Sequence, residues 1–239
     1  MKSKGKRLLI LGATAGEISL VKRAQEFGIY VIVTDNHKDY SLAPAKYIAD
    51  EAWDISWSDI DLLEKKCVDN HIDGVLAGYS EFRVENMIKL CERLNLPCYI
   101  NSEQLDITRD KIKFKECCRR YGVPVVREYK SIEEVDKFPV IVKPTDRAGS
   151  IGISIANNLK ELEKAYQYAY EMSVEKRVII EEYIYKADKV DFYYLAENGQ
   201  LTLLTSCDTI NAKNNGFSKV VQSAWLYPEK NLKSYNLKV

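Results

Sequence analysis

Histidine is nearly absent from this chain: His37 and His71 are the only two among 239 residues, and they lie in different segments. A histidine-rich metal centre and a Ser-His-Asp triad are thereby excluded, although His37, just after an expected strand end, could touch a ligand. Paired cysteine motifs are missing too. Cys67, Cys91, Cys98, Cys117, Cys118 and Cys207 form no CxxC and no zinc-like spacing, and a chain of this size needs no disulfide staples. They are expected as reduced, mostly buried, small apolar side chains of a cytosolic protein. Apolar runs such as 8–11 and 29–33 fall far below the ~18 residues of a membrane span. The basic N-terminus precedes only a short apolar block, so no export or anchoring signal is read and a cytoplasmic location without membrane contact is expected. Neither sign of charge dominates, with 35 Lys and Arg against 35 Asp and Glu. Bulk charge therefore offers nothing to nucleic acid or anionic lipid, and any anion site must be local.

What is present is a core. Apolar residues make up 46% of the chain, enough for one large or two small domains. Over the first hundred residues short apolar strands alternate with amphipathic helices, the pattern of a parallel sheet covered on both faces. Strands are expected at 7–11, 30–34, 48–49 and 74–77, with helices at 17–27, 60–70 and 81–94. The pattern changes near Asn101. A helix over 108–121, ended by Gly122 and Pro124, is followed by strands near 125–129 and 140–143, a helix over 158–172 and a strand over 177–181. Strands 190–197 and 200–207 flank Asn198-Gly199, the strongest short-range hairpin signal. A doubly wound α/β domain followed by an α+β region rich in antiparallel strands is the expected architecture.

Gly12 and Gly16, in "GATAGE" after the first strand, occupy the place of a Rossmann ligand loop but lack its GxGxxG spacing. Asp35 ends the second strand where a dinucleotide enzyme binds ribose, and that reading would require NAD(H) at Gly12 and Asp35. No Walker A sequence occurs. The stretch "KPTDRAGSIGI", 143–153, is more informative. On a strand over 139–143, Val140 and Val142 share one face while Ile141 and Lys143 share the other. A lysine ending a half-buried strand needs an anion, and Gly149-Ser150-Ile151-Gly152 offers backbone N–H groups that a phosphate can approach closely. Ile151 and Ile153 resume a strand, so the stretch is either a phosphate cradle or a polar hairpin tip. On the helix from Thr108, Ile107, Lys111, Phe114 and Cys118 fall on one face, so Lys111 interrupts an apolar stripe, as a phosphate ligand or as a snorkelling lysine. In "VIIEEYIYKAD" a strand runs into Glu181 and Glu182, then Tyr183 and Ile184. A carboxylate there suits the amino group of adenine, and Asp188 could take ribose hydroxyls; the alternative is a solvated strand end.

Lys111, then "VIVKPTDRAGSIGI", then "VIIEEYIYKAD" resembles, in order and spacing, the nucleotide site of the ATP-grasp superfamily, with the flavour of the carbamoyl-phosphate-synthase-like carboxylate–amine ligases. "LLILGATAGEISLVKRAQEFGIYVIVTD" resembles the pre-ATP-grasp domain that precedes such sites. The resemblance implies an α/β chain with a Rossmann-like pre-ATP-grasp domain over 1–104, a small lid subdomain over 105–186, and the start of an incomplete α+β C-terminal subdomain over 187–239. It implies ATP as cofactor: Lys111 and Lys143 on the phosphates, Gly149, Ser150 and Gly152 in the closing loop, Glu181 with neighbouring Glu182 at the adenine amino group, backbone at Tyr183 and Ile184 on the adenine edge, Asp188 at the ribose. The family usually has glutamate at the last position and a glycine shortly before it, where this chain has Tyr185-Lys186-Ala187. A small carboxylate substrate would meet pre-ATP-grasp loops at Gly12, Ala13, Tyr79, Ser80 and Glu81, and would prefer the amides near Ala13 to Glu81. Magnesium is expected for the full-length family enzyme, held by a final block of strands, so the chain is expected to be the N-terminal portion of a longer ligase, catalytically incomplete as it stands. Its partner would be a homodimer mate or the missing C-terminal half; the alternative is a non-catalytic nucleotide-binding module.

Overall fold

The computed structural model describes residues 3–78, 80–147, 149–185, 189–211 and 222–230. The chain divides into two compact units, residues 1–108 and 109–239. In the first, strands β1 (Arg7–Leu11), β2 (Tyr30–Thr34), β3 (Glu51–Trp53) and β4 (Gly74–Ala77) form a parallel sheet in the order β3-β2-β1-β4. Helices α1 (Ile18–Glu26), α2 (Ile60–Asp69), α3 (Glu81–Leu94) and α4 (Ser102–Arg109) follow in chain order. Strand periodicity divides the core between the sheet's faces. Leu9 and Leu11 point with Leu63, Met87 and Leu90 into one cluster, whereas Ile10, Val31 and Val33 join Val21 and Ala24 in the other. Asp59 caps α2 by accepting from the Leu62 amide at 3.2 Å, and Asn95, with φ of 52°, ends α3 in the left-handed conformation.

One expected strand is displaced. Residues 48–49 do not form it, because Pro44 opens a 3-10 turn whose Ala45 carbonyl accepts from the amides of both Ile48 and Ala49, at 3.2 and 3.1 Å. With those donors consumed, pairing to β2 begins at Glu51.

The second unit opens on α5 (Lys111–Arg120). The single helix expected over 108–121 is in fact two, broken at Asp110, whose extended backbone and carboxylate cap α5 by accepting from the Ile112 and Lys113 amides at 2.8 and 3.1 Å. Strands β5 (Glu128–Tyr129), β6 (Val140–Pro144), β7 (Ser154–Ala156) and β8 (Val178–Glu182) form an antiparallel sheet in the order β5-β8-β6-β7. Helix α6 (Leu159–Met172) packs Leu162, Ala165 and Ala169 against Tyr129, Val140, Val142 and Ile180 on one face of that sheet. A second sheet contains β9 (Lys189–Glu197), β10 (Gln200–Asn211) and β11 (Gln222–Leu226) in the order β11-β10-β9. Asn198 and Gly199 turn the β9–β10 hairpin with φ of 50° and 75°, as their residue types demand. The third strand, β11, has no counterpart in the sequence reading. Among the described residues no helix is long and apolar enough to cross a membrane.

All six cysteines are free, but only Cys67, Cys91 and Cys207 are buried; Cys98 is exposed and Cys117 and Cys118 are half-buried, so "mostly buried" overstated the case. Burial pushes the thiols of Cys67 and Cys91 up to about 12. With folded protein at pH 8, a thiol reagent read by intact mass should therefore label Cys98 and leave Cys67 and Cys91 unmodified until denaturant is added.

Candidate nucleotide site

Alternation along the strands of the second unit gives its first sheet one apolar face, covered by α6, and one charged face. Val140 and Val142 are fully buried under α6 while Ile141 and Lys143 point the other way. On β8 the same parity sends Ile180 to the helix and Glu181 to the charged face. Glu181 is 2% exposed. A buried carboxylate needs counter-charges, and Glu181 has two: Lys143 on one oxygen and Lys115 on the other. Lys143 reaches it diagonally, since Lys143 pairs with Ile179 and Ile141 with Glu181. Lys115 also pairs with Glu128 at 2.9 Å, and Arg119 pairs with the other oxygen of Glu128. Burial works to raise the Glu128 carboxyl, but Lys115 and Arg119 hold it below the usual carboxylate range.

Lys111 is the first residue of α5. Its Nζ donates to the Arg147 carbonyl at 2.7 Å and its backbone amide to the Thr145 carbonyl at 3.2 Å. Burial first, and the neighbouring Lys143 charge second, push it below the ordinary lysine range against the opposing pull of Asp146, Glu181 and Asp110. The stripe that singled out Lys111 in the sequence is not real: Ile107 belongs to α4, Phe114 is 49% exposed, and α5 has no buried residue. The face that matters carries Lys111, Lys115 and Arg119, spaced by four. Lys115 was missed, and that i, i+4, i+8 run of cations is the signal that could have found it.

The hairpin between β6 and β7 is anchored at its start and open at its tip. Thr145 is fully buried and donates its amide to the Arg177 carbonyl; Asp146 accepts from the Ser173 hydroxyl at 3.0 Å and the Glu175 amide at 2.7 Å; Arg147 Nε donates to the Met172 carbonyl at 2.6 Å. Beyond it Gly149, Ser150 and Gly152 have φ of 64°, 59° and 75°. A Cβ at Gly149 would meet nothing within 4 Å, whereas one at Gly152 would lie 2.9 Å from both Met172 Cβ and Pro144 Cγ. Gly149 is thus a residue of the open tip and Gly152 a packed pivot.

Glu182 is not part of the charged face. Its side chain sits one residue out of phase and pairs with Lys137 at 3.2 Å. The Tyr183 amide already donates to the Pro139 carbonyl at 3.2 Å, so at that residue an adenine edge would have to use the carbonyl. Ile184 is 59% exposed. Asp188 and Tyr79 lie outside the described residues.

The remaining residues expected at a substrate belong to the first unit. The Gly12 amide donates to the Thr34 carbonyl at 2.9 Å and the Thr14 amide to Glu17 at 2.9 Å. The Gly12 and Thr14 amides are thus engaged within the fold. The nearby cation is Arg83, whose guanidinium covers Gly12 and donates to the buried Glu17 at 2.8 Å. Ser80 precedes α3 as its N-cap with no side-chain capping bond, and Glu81 is exposed in the first turn. Asp35, 2% exposed, accepts from the His37 amide at 2.9 Å and meets His37 Nδ1 at 2.6 Å. Lys46, with no exposed side-chain surface, ties down the same loop through the carbonyls of Asp35 and His37. Neither Gly12 nor Asp35 is arranged to hold NAD(H).

A parallel α/β unit is followed by a unit in which two lysines flank a buried glutamate, and known proteins resemble the chain across both. Residues 112–221 match the family described as D-ala D-ala ligase C-terminus. Among curated proteins, the chain is 27% identical over 248 residues to the 2-oxoglutarate carboxylase small subunit of Hydrogenobacter thermophilus, covering 92% of this chain and 52% of that protein. It is 26% identical over 190 residues to a formate-dependent phosphoribosylglycinamide formyltransferase of Prochlorococcus marinus, covering 75% and 48%. Over 76 residues it is 37% identical to a D-alanine--D-alanine ligase of Fusobacterium nucleatum, covering 32% of this chain and 26% of the relative. Among solved structures, the biotin carboxylase domain dimer of the H. thermophilus 2-oxoglutarate carboxylase, in complex with MgADP, ADP and bicarbonate, superposes with a TM-score of 0.74 at 24% identity, covering 85% of this chain and 50% of that one. Phosphoribosylglycinamide synthetase from Anaerococcus prevotii gives 0.67 at 26%, covering 91% and 54%. The chain is thus similar to ATP-grasp ligases in both sequence and fold. It spans about half the length, or less, of these curated relatives.

The loop geometry separates its two glycines by experiment. Gly149→Ala should cost about 1–2 kcal/mol, the left-handed strain alone. Gly152→Ala adds overpacking of about 1–3 kcal/mol against Pro144 and Met172, so urea unfolding should rank it as the more damaging change.

Proposed function

We infer that the chain is the ATP-binding portion of an ATP-dependent carboxylate–amine ligase that acts through an acyl phosphate. The observation that carries this reading is the convergence of Lys111, Lys143 and Glu181 on one sheet face beside the glycine-bearing loop. Lys143 and Lys111 would neutralise phosphate oxygens, with the loop from Gly149 to Gly152 closing over them. Glu181 would accept from the adenine amino group, while backbone at Tyr183 and Ile184 meets the ring edge. In the reaction a substrate carboxylate oxygen bonds to the γ-phosphorus as the bond from that phosphorus to the β,γ-bridging oxygen breaks, releasing ADP. An amine then bonds to the acyl carbon, phosphate departs with its oxygen, and the amine gives up a proton. Phosphoryl transfer of this kind depends on positioning and charge neutralisation.

Magnesium supplies part of that neutralisation in such chemistry. Among the described residues no group of three His, Cys, Asp or Glu side chains could hold a metal ion, so no residue is assigned to it and no step is routed through it. A second reading, a nucleotide-binding module completed by another polypeptide, draws support from the β9–β11 sheet. Tyr193, Leu195 and Trp225, which the register puts on one face of that sheet, are 42%, 50% and 48% exposed, side chains of the kind that partners or second copies cover.

Calorimetric titration with a non-hydrolysable ATP analogue, with and without magnesium, tests the ATP reading. Binding is expected in both conditions, weakened at least about tenfold in Lys143→Ala by loss of a charge-assisted contact; no binding to the parent chain in either condition removes the reading. The same titration has a pH signature. Phosphate favours protonated Lys111, whose pKa in the free protein is lowered from 10.5. The Lys111 contribution to affinity is therefore complete below that lowered pKa and falls as pH rises from it towards the higher pKa of the phosphate-bound lysine. The affinity gap between the parent chain and Lys111→Met should close at a lower pH than an ordinary lysine would dictate; a gap constant up to 10.5 contradicts the assignment.

A further inference from the structure

The charged face contains two cations that phosphate binding does not use, Lys115 and Arg119. We propose that Lys115 is a positioning residue for base recognition: it holds the Glu181 carboxylate in place when Lys143 leaves it for phosphate, and so sets the preference for adenine. The proposal rests on the ATP reading above.

The need arises from strand pairing. Glu128 on β5 lies directly opposite Glu181 on β8, and like charges in that register repel. One ammonium between them resolves the conflict, and Lys115 is that group, with one contact to each carboxylate. Its three donors allow both contacts at once. Arg119, one turn further along α5, secures Glu128 from the other side.

The two lysines on Glu181 differ in what they are free to do. Lys143 ends a strand next to the β6–β7 hairpin, and its side chain is 21% exposed. Lys115 sits in the second turn of α5, is 13% exposed, and is tethered to two acids on two strands. Lys143 can therefore exchange Glu181 for a phosphate oxygen, whereas Lys115 cannot follow without abandoning Glu128. If Lys143 were the sole counter-charge, nucleotide binding would strip a buried carboxylate of its partner. Glu181 would then be drawn towards water and out of alignment with the base. Lys115 keeps Glu181 fixed, with its oxygens placed to accept from the amino group of adenine, where guanine presents a carbonyl oxygen with no hydrogen to give.

The experiment is a double-mutant cycle read as the ratio of affinities for the imido analogues of ATP and GTP, by calorimetry on the full chain. In the parent chain the adenine analogue binds more tightly. Lys115→Met should lower the adenine-to-guanine ratio by about tenfold, Lys115→Arg should retain most of it, and Lys143→Ala should weaken both nucleotides while leaving the ratio in place. Glu181→Gln removes the acceptor charge, and adding Lys115→Met to it should change the ratio no further; this pair leaves no unpaired buried carboxylate at 181 and serves if the single variant does not fold. Equal weakening of both nucleotides by Lys115→Met means a merely structural residue and overturns the proposal, as does a further drop in the Glu181→Gln background. A parent chain that binds nucleotide but has no base preference overturns it too. Failure of the parent chain to bind either analogue is a different result: it overturns the ATP reading and this proposal with it.

Discussion

The second unit is organised around one carboxylate that the fold refuses to leave in water. Glu181 is carried inward by the alternation of β8 and would be an expensive passenger alone. Its neighbours follow from that cost. Lys143 ends β6 within diagonal reach, and α5 brings Lys115 and Arg119 down on the same face. The break at Asp110 that starts α5 is tied to the first residue before β8, since Arg177 donates to the capping carboxylate at 2.6 Å. Buried ion pairs of this kind add little net stability compared with apolar packing. What they do provide is a set of charges held in fixed relation, and here the apolar α6 face supplies the cohesion while the α5 face supplies the chemistry.

The hairpin beside this cluster combines rigidity and freedom in sequence. Its first three residues are pinned to α6 and to the segment after it, so a ligand at Lys111 or Lys143 meets a preformed wall. Three backbones with positive φ then follow, one of them the non-glycine Ser150, and the open surroundings of Gly149 let that tip move without disturbing the wall. Positive φ at serine is a small local strain, set beside Gly149, whose surroundings are open. In the first unit the crevice at the carboxyl ends of β1 and β4 is built differently. Strand order reverses there, the position where open α/β sheets bind ligands, and the Arg83–Glu17 pair lines it in place of free amides.

Much of this was legible in order and type. The first unit's strands at 7–11, 30–34 and 74–77 and the helix at 81–94 stand where periodicity puts them, because burial on two faces leaves a plain pattern of apolar runs. The Asn198-Gly199 turn was equally plain, since few residue pairs accept two positive φ values. Misreadings came where local signals competed. A helical stripe drawn through Ile107, Lys111 and Phe114 ignored Asp110 as a cap, and residues 48–49, apolar enough for a strand, yielded their amides to a turn begun by Pro44. β11 escaped notice because a strand of five residues has little periodicity of its own and depends on β10 for its hydrogen bonds.

The site divides along the same line. Lys143, Gly149, Gly152 and Glu181 were singled out by residue type and spacing, since a lysine ending a strand and glycines in a turn are local statements. Which acid faces inward, Glu181 or Glu182, depends on strand parity against a particular helix. That Lys115 serves two carboxylates depends on β5 lying beside β8, a pairing between residues 128 and 181. Sequence by itself determined the elements and the supply of charge, because both are written within a few residues. Tertiary structure decided which charges meet, because a buried ion must find its partner wherever in the chain that partner happens to be.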